Sequence, residues 1–79
     1  MARVLLFGRL SDVAGWRERA IESPFLSALR TTLAAEDAAL GEALAGKGVQ
    51  VAVDQAIVRG ESALSTGSEV AFLPPMSGG

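Results

Sequence analysis

Leu26, Leu29 and Leu33 recur at i, i+3 and i+7, a spacing that puts three large apolar side chains on one face of a helix of about three turns. Such a stripe needs a cover. In a chain of 79 residues, 49% hydrophobic and 20% charged, the cover available is the set of short strand patterns on either side of the helix. Val4-Leu5-Leu6-Phe7, closed by Gly8, reads as a mid-sheet strand. Residues 17 to 22 mix charge with Ala20 and Ile21, as an edge strand does, and join the first strand as a hairpin through a long connection containing Ser11, Asp12 and Gly15. Beyond the helix, Val49, Val51 and Val53 alternate with Gln50 and Ala52, and Asp54-Gln55 turns the chain into Ala56-Ile57-Val58. A further turn at Ser65-Thr66-Gly67-Ser68 precedes a last strand, Val70-Ala71-Phe72-Leu73, stopped by Pro74-Pro75. The order strand, strand, helix, strand, short strand, strand repeats no strand-helix-strand unit. It predicts an α+β fold, one sheet of four to five strands covered by one main helix.

The helix boundaries have their own signals. Ser23-Pro24 reads as the start, Ser capping free backbone N–H groups and Pro occupying the first helical position without losing a hydrogen bond. Leu40 and Leu44 extend the pattern at i, i+4, but Gly41 interrupts it and predicts a separate, weaker turn over residues 36 to 45. Gly46-Lys47-Gly48 ends the helical region.

Composition narrows the chemistry. The chain has no His, Cys or Tyr, which excludes imidazole acid/base catalysis, thiol nucleophiles, disulfides, zinc fingers and iron-sulfur ligation. Seven Lys plus Arg against nine Asp plus Glu give net charge -2, the wrong sign for binding dominated by nucleic-acid phosphates. The longest apolar run near the start, Val4 to Phe7, is far short of a membrane span. The expectation is a cytoplasmic protein with no nucleic-acid or membrane partner, no metal and no bound cofactor.

Some patterns suggest a site and are better explained otherwise. Gly41-Glu42-Ala43-Leu44-Ala45-Gly46-Lys47-Gly48 approximates the phosphate-binding G-x-x-x-x-G-K-[ST] loop. Gly48 replaces the required hydroxyl, and the segment runs from helix to strand, the reverse of the required context. Glu18 with Glu22, and Glu36 with Asp37, lie in charge-mixed stretches and read as solvated carboxylates. Trp16 reads as packing over the core edge.

The informative segment is the end. Pro74-Pro75 carries the chain out of the last strand in extended form, and Gly78 and Gly79 have no Cβ. Pro74, Pro75, Met76, Ser77, Gly78 and Gly79 together reach about 20 Å when extended. A tail of that width and length fits a narrow channel in another protein.

Phe7-Gly8-Arg9-Leu10, Val51-Ala52-Val53-Asp54-Gln55 and, above all, Gly67-Ser68-Glu69-Val70-Ala71-Phe72-Leu73-Pro74-Pro75-Met76-Ser77-Gly78-Gly79 resemble the small subunit of molybdopterin synthase, the MoaD family. The resemblance covers residues 1–79. It implies a ubiquitin-like β-grasp fold with a mixed sheet, a single domain over 1–79, and an extended tail over 74–79. Asp54 stands where the family usually has Asn, and Thr66 and Ser68 replace acids common beside the turn glycine. Asp and Asn both tolerate turn geometry, so the fold expectation stands.

The resemblance also implies a chemistry. A carboxylate is a poor electrophile, so family members use ATP and a ubiquitin-activating-like adenylating enzyme to form a C-terminal acyl adenylate. Sulfur from a persulfide-type donor displaces AMP and leaves a thiocarboxylate, here on Gly79, the catalytic position. In the large subunit's pocket that sulfur passes to cyclic pyranopterin monophosphate, and two transfers build the dithiolene of molybdopterin. The small subunit then acts as a sulfurtransferase component within a heterotetramer of two small and two large subunits.

Strand parity predicts the partner surface. If Val4, Leu6, Val70 and Phe72 face the helix, then Leu5, Phe7, Ala71 and Leu73 face away. Phe7 and Leu73 are then surplus apolar residues, and Ile57, at a contact position of the family, completes a patch. Two other readings compete: a carrier for thiamine or another sulfur pathway, or a protein modifier joined through Gly79, and a binding module whose Gly-Gly end is inert.

Overall fold

A computed structural model describes residues 1–75 of the chain. Its elements are β1 (Ala2–Leu6), α1 (Arg9–Ala14), β2 (Glu18–Ile21), α2 (Leu26–Glu36), α3 (Ala38–Leu44), β3 (Gln50–Val53), β4 (Ala56–Val58) and β5 (Glu69–Leu73). The strands form one mixed sheet in the order β2-β1-β5-β3-β4. β1 is antiparallel to β2 and parallel to β5, and β3 is antiparallel to both β4 and β5. This is the expected β-grasp arrangement. The charge-mixed strand lies at one edge, and the apolar β5 lies at the centre.

Strand parity decides what the sheet buries. Val4, Leu6, Val51, Val70 and Phe72 are buried together with Leu26, Leu29 and Leu33 of α2 in one core cluster. Phe72 and Leu29 are fully enclosed, each removing an estimated ~1.5–3 kcal/mol worth of apolar surface from water. Arg30 keeps its guanidinium carbon 5.5 Å from the Phe72 ring centroid and donates to the Leu44 carbonyl at 3.4 Å. The same guanidinium thus lies over the ring and satisfies a free carbonyl at the end of α3.

Asp54 and Gln55 have φ of 50° and 70°, the two-residue hairpin geometry that matches the twist of β3 and β4. Asp is suited to it because it tolerates left-handed backbone and brings its own acceptor. Its Oδ1 accepts from the Glu69 N–H at 2.9 Å, and its N–H donates to the Glu69 carbonyl at 2.8 Å. The hairpin is thereby tied to the start of β5.

Three expectations change. Residues 9 to 14 form α1 where an open connection was expected; Gly15 at φ 81° closes the helix, its N–H donating to the Ser11 carbonyl. Only Leu10 of α1 is fully buried, so six residues carry too little periodicity to reveal it. Ser23-Pro24 is not the cap of α2, which begins at Leu26; the Ser23 hydroxyl donates to the Phe25 carbonyl instead. The free Ser27 N–H finds Glu61 Oε1 at 2.9 Å, a cap supplied from 34 residues away. Finally, residues 38 to 44 are the helix α3, capped by Asp37 accepting from the Leu40 N–H at 3.2 Å. Gly41 does not break this helix. A Cβ there would lie 2.6 Å from the Ala34 Cβ, so glycine lets α3 approach α2. Among the described residues three helices accompany the sheet, α2 being the longest.

Candidate partner face and the base of the tail

The face of the sheet turned away from α2 is built from the alternate residues of each strand. One row crosses it through Leu5, Ala71, Ala52 and Ile57, which are paired in register. Ala71 and Ala52 are buried, so the middle of the row is low and smooth. Ile57 at one end is 48% exposed and Phe7 at the other side is 45% exposed. The Phe7 N–H donates to the Phe72 carbonyl at 3.3 Å, which continues the β1–β5 register one step and sets Phe7 level with Leu73. Leu73 is half-buried. The two side chains sit on neighbouring strands, and Ile57 lies across Ala71 and Ala52 from them. Leu5 and Ala71 lie on this surface as strand parity predicted, and Ala52, which the sequence reading did not assign to it, joins them. The signal for Ala52 was the same parity, obscured because alanine in a strand reads equally well as core.

The opposite part of this face is charged. Arg3 lies between two acids on flanking strands, 2.6 Å from Glu69 and 3.6 Å from Glu18. These exposed pairs are worth little in stability, but they divide the sheet into a polar end and an apolar end. The apolar end is where the chain leaves β5. Pro74 is half-buried and Pro75 exposed, and Pro74 begins directly after Leu73. Met76, Ser77, Gly78 and Gly79 lie outside the described residues.

Three other carboxylates, Glu36, Glu61 and Asp37, have structural work. Glu36 bonds Arg19 at 2.9 Å and holds that guanidinium above its ordinary pKa, chiefly through this hydrogen bond. Glu61 is held below the ordinary glutamate range, first by the Ser27 hydroxyl and then by the Ser27 and Ser62 N–H groups. Asp37 is a helix cap. Trp16 packs on the core, as its position suggested, with the Arg19 guanidinium 5.0 Å from its ring centroid. Ser68, one of the departures from the family pattern, is 4% exposed, and its hydroxyl accepts from the Ser65 N–H at 2.9 Å. It stabilises the turn before β5 and presents nothing to a partner. Among the described residues no cluster of three candidate metal ligands occurs, and no helix is long and apolar enough to cross a membrane.

The molybdopterin synthase sulfur carrier subunit of Escherichia coli is 36% identical to the chain over 81 aligned positions, with all of both chains covered. The subunit of the same name from Haemophilus influenzae is 33% identical, again over the full length of both. Among solved structures, small archaeal modifier protein 1 from Methanosarcina acetivorans superposes with a TM-score of 0.86 at 21% identity, covering 99% of this chain and 95% of that one. SAMP1 from Haloferax volcanii superposes with a TM-score of 0.80 at 24% identity, covering 99% and 98%. At those identities the structures establish the ubiquitin-like fold alone. Residues 4–79 match the ThiS family, and with full-length relatives above 30% identity the chain is a member of that family of small sulfur carriers.

Proposed function

We propose that the chain is the sulfur-carrier small subunit of molybdopterin synthase and that the Gly79 carboxylate is the group that carries sulfur. The observation that bears most weight is the continuity of the apolar face with the tail: Phe7 and Leu73 lie immediately beside the point where Pro74 begins. A partner that covers this face is positioned to receive the segment Pro74, Pro75, Met76, Ser77, Gly78 and Gly79 in its own pocket. Binding and delivery then use adjacent surfaces.

In this reading the Gly79 carboxylate oxygen attacks the α-phosphorus of ATP on an adenylating enzyme, pyrophosphate leaves, and the acyl carbon becomes electrophilic. The terminal sulfur of a persulfide-type donor attacks that carbon and expels AMP, and a second thiol of the donor system reduces the resulting acyl disulfide, leaving the donor as a disulfide and Gly79 as the thiocarboxylate. The thiocarboxylate is carried to a large subunit, where the sulfur passes to cyclic pyranopterin monophosphate, in an assembly of two small and two large subunits. The chain contributes no acid or base to this chemistry, in keeping with its lack of His and Cys. Its contribution is an activated terminus, a slender tail and a docking face.

The test is intact-mass analysis after incubation with an adenylating enzyme, ATP and a sulfur donor. Replacement of one C-terminal oxygen by sulfur, followed by its loss in the presence of large subunit and pterin substrate, supports the reading. A terminus that forms no adenylate overturns it, and a branched peptide after digestion assigns the chain to protein modification instead.

A further inference from the structure

Five glycines among the described residues have positive φ: Gly8, Gly15, Gly48, Gly60 and Gly67. Backbone conformation alone explains glycine at each of these positions. Space does not. A Cβ at Gly15, Gly60 or Gly67 would meet nothing within 4 Å. A Cβ at Gly8 would lie 3.1 Å from Pro74 Cγ, and one at Gly48 would lie 3.0 Å from Pro75 Cβ. Both close approaches are thus made to the tail prolines, one each. Gly8 precedes α1 and Gly48 lies in the turn between α3 and β3. The two prolines also border a groove of about 830 Å³ whose floor includes Leu10, Val13, Ala43 and Val49.

We propose that Gly8 and Gly48 are positioning residues that seat Pro74 and Pro75 by closeness of backbone and so set the direction in which the chain leaves Pro75. Proline rings are rigid, so seating two in succession fixes an exit vector that a single flexible residue does not. The proposal rests on the carrier reading, because an exit vector matters when the terminus must enter a partner's pocket. An error of about 1 Å at a reacting centre slows chemistry by up to about 100-fold. Crowding at either glycine would produce such an error at Gly79 while leaving the side chains of the docking face in place.

The test compares Gly8→Ala and Gly48→Ala with Gly15→Ala and Gly60→Ala in the full-length protein. All four introduce the strain of an L-residue at positive φ, but only the first two crowd a proline. Residual dipolar couplings of Met76 and Ser77 and single-turnover sulfur transfer to the pterin substrate on the large subunit are measured for each. The expected result is changed couplings and transfer slowed about 10- to 100-fold in Gly8→Ala and Gly48→Ala, with affinity for the large subunit within about twofold, and neither effect in the controls. Controls that reproduce the loss, or unchanged couplings in the test variants, overturn the proposal. If Gly48→Ala fails to fold, nuclear Overhauser contacts between Gly48 Hα and Pro75 Hβ in the wild type decide the matter, their absence overturning it. A wild-type protein that transfers no sulfur sinks the carrier reading, and the couplings still judge the glycines.

Discussion

Gly41 of α3 stands so close to Ala34 of α2 that a Cβ on the glycine would lie 2.6 Å from the alanine Cβ and 2.9 Å from its Cα. Two effects oppose one another on substitution. Alanine raises helix propensity by about 1 kcal/mol over glycine, whereas forcing an extra methyl into a packed contact costs about 1–3 kcal/mol. Part of the clash is with backbone, which cannot rotate away. Gly41→Ala is therefore expected to destabilise the protein by about 1–2 kcal/mol, seen as a lower denaturation midpoint at unchanged slope. A stabilised variant would show that α2 and α3 separate freely.

Glu61 gives stability a defined pH dependence. Its carboxylate accepts from the Ser27 hydroxyl and from the N–H groups of Ser27 and Ser62, so its folded-state pKa is lowered from the ordinary 4.5. A lowered carboxylate pKa means that the contribution is complete above the ordinary value and is lost as pH falls through the folded one. Glu61→Gln should remove this part of the acid sensitivity. Urea titrations above and below pH 4.5 check it: the gap between wild type and variant should be widest at neutral pH and shrink in acid. A gap independent of pH would contradict the assignment of the cap.

On the open face, Ile57→Glu places a charge at a position that is 48% exposed. The melting temperature should stay close to wild type, and affinity for the large subunit should fall about 10- to 100-fold, as losing one buried aliphatic side chain implies. Leu73→Glu should weaken binding further and cost some stability, since Leu73 is half-buried while the enclosed side chains of β5 are Val70 and Phe72. Calorimetric titration beside thermal denaturation separates the two effects. Unaltered affinity in both variants would remove this face from the interface.

Deleting Gly79 should leave the fold intact, because the core cluster runs from Ala2 to Phe72. Sulfur loading or transfer should nevertheless vanish, with the acyl carbon one residue short. Full activity of the shortened chain, measured as molybdopterin formed per carrier, would refute the role of Gly79.

The divide between what the sequence revealed and what it concealed follows the range of the interactions. Val4 with Leu6, and Val70 with Phe72, alternate within a single strand, so their burial was readable from neighbours two residues apart. Leu26, Leu29 and Leu33 did the same for α2 at helical spacing. Asp54-Gln55 carried its turn in its own backbone preferences. The cap of α2 was invisible because its acceptor, Glu61, is 34 residues from Ser27. Gly41 was misread because a glycine that breaks a helix and one that admits a neighbouring helix look alike until Ala34 is placed beside it. At the candidate site, Phe7 and Leu73 were legible one strand at a time, whereas Ile57 came from the family resemblance. The Leu5, Ala71 and Ala52 row that joins them requires the register of four strands.

The parallel pairing of β1 with β5, Arg3 beside Glu69 through Leu6 beside Phe72, has a consequence for when the tail becomes usable. During synthesis β1 and β2 emerge early, and β3 with β4 can close locally, but these two pairs have no common strand until residue 69 and beyond arrive. The middle of the sheet is thus the last to be filled. Because Pro74 follows directly from that central strand, the act that completes the fold is the act that sets the start of the tail beside Phe7. An activating enzyme that reads the face and the terminus together would, on this geometry, pass over nascent and misfolded chains without any separate proofreading step.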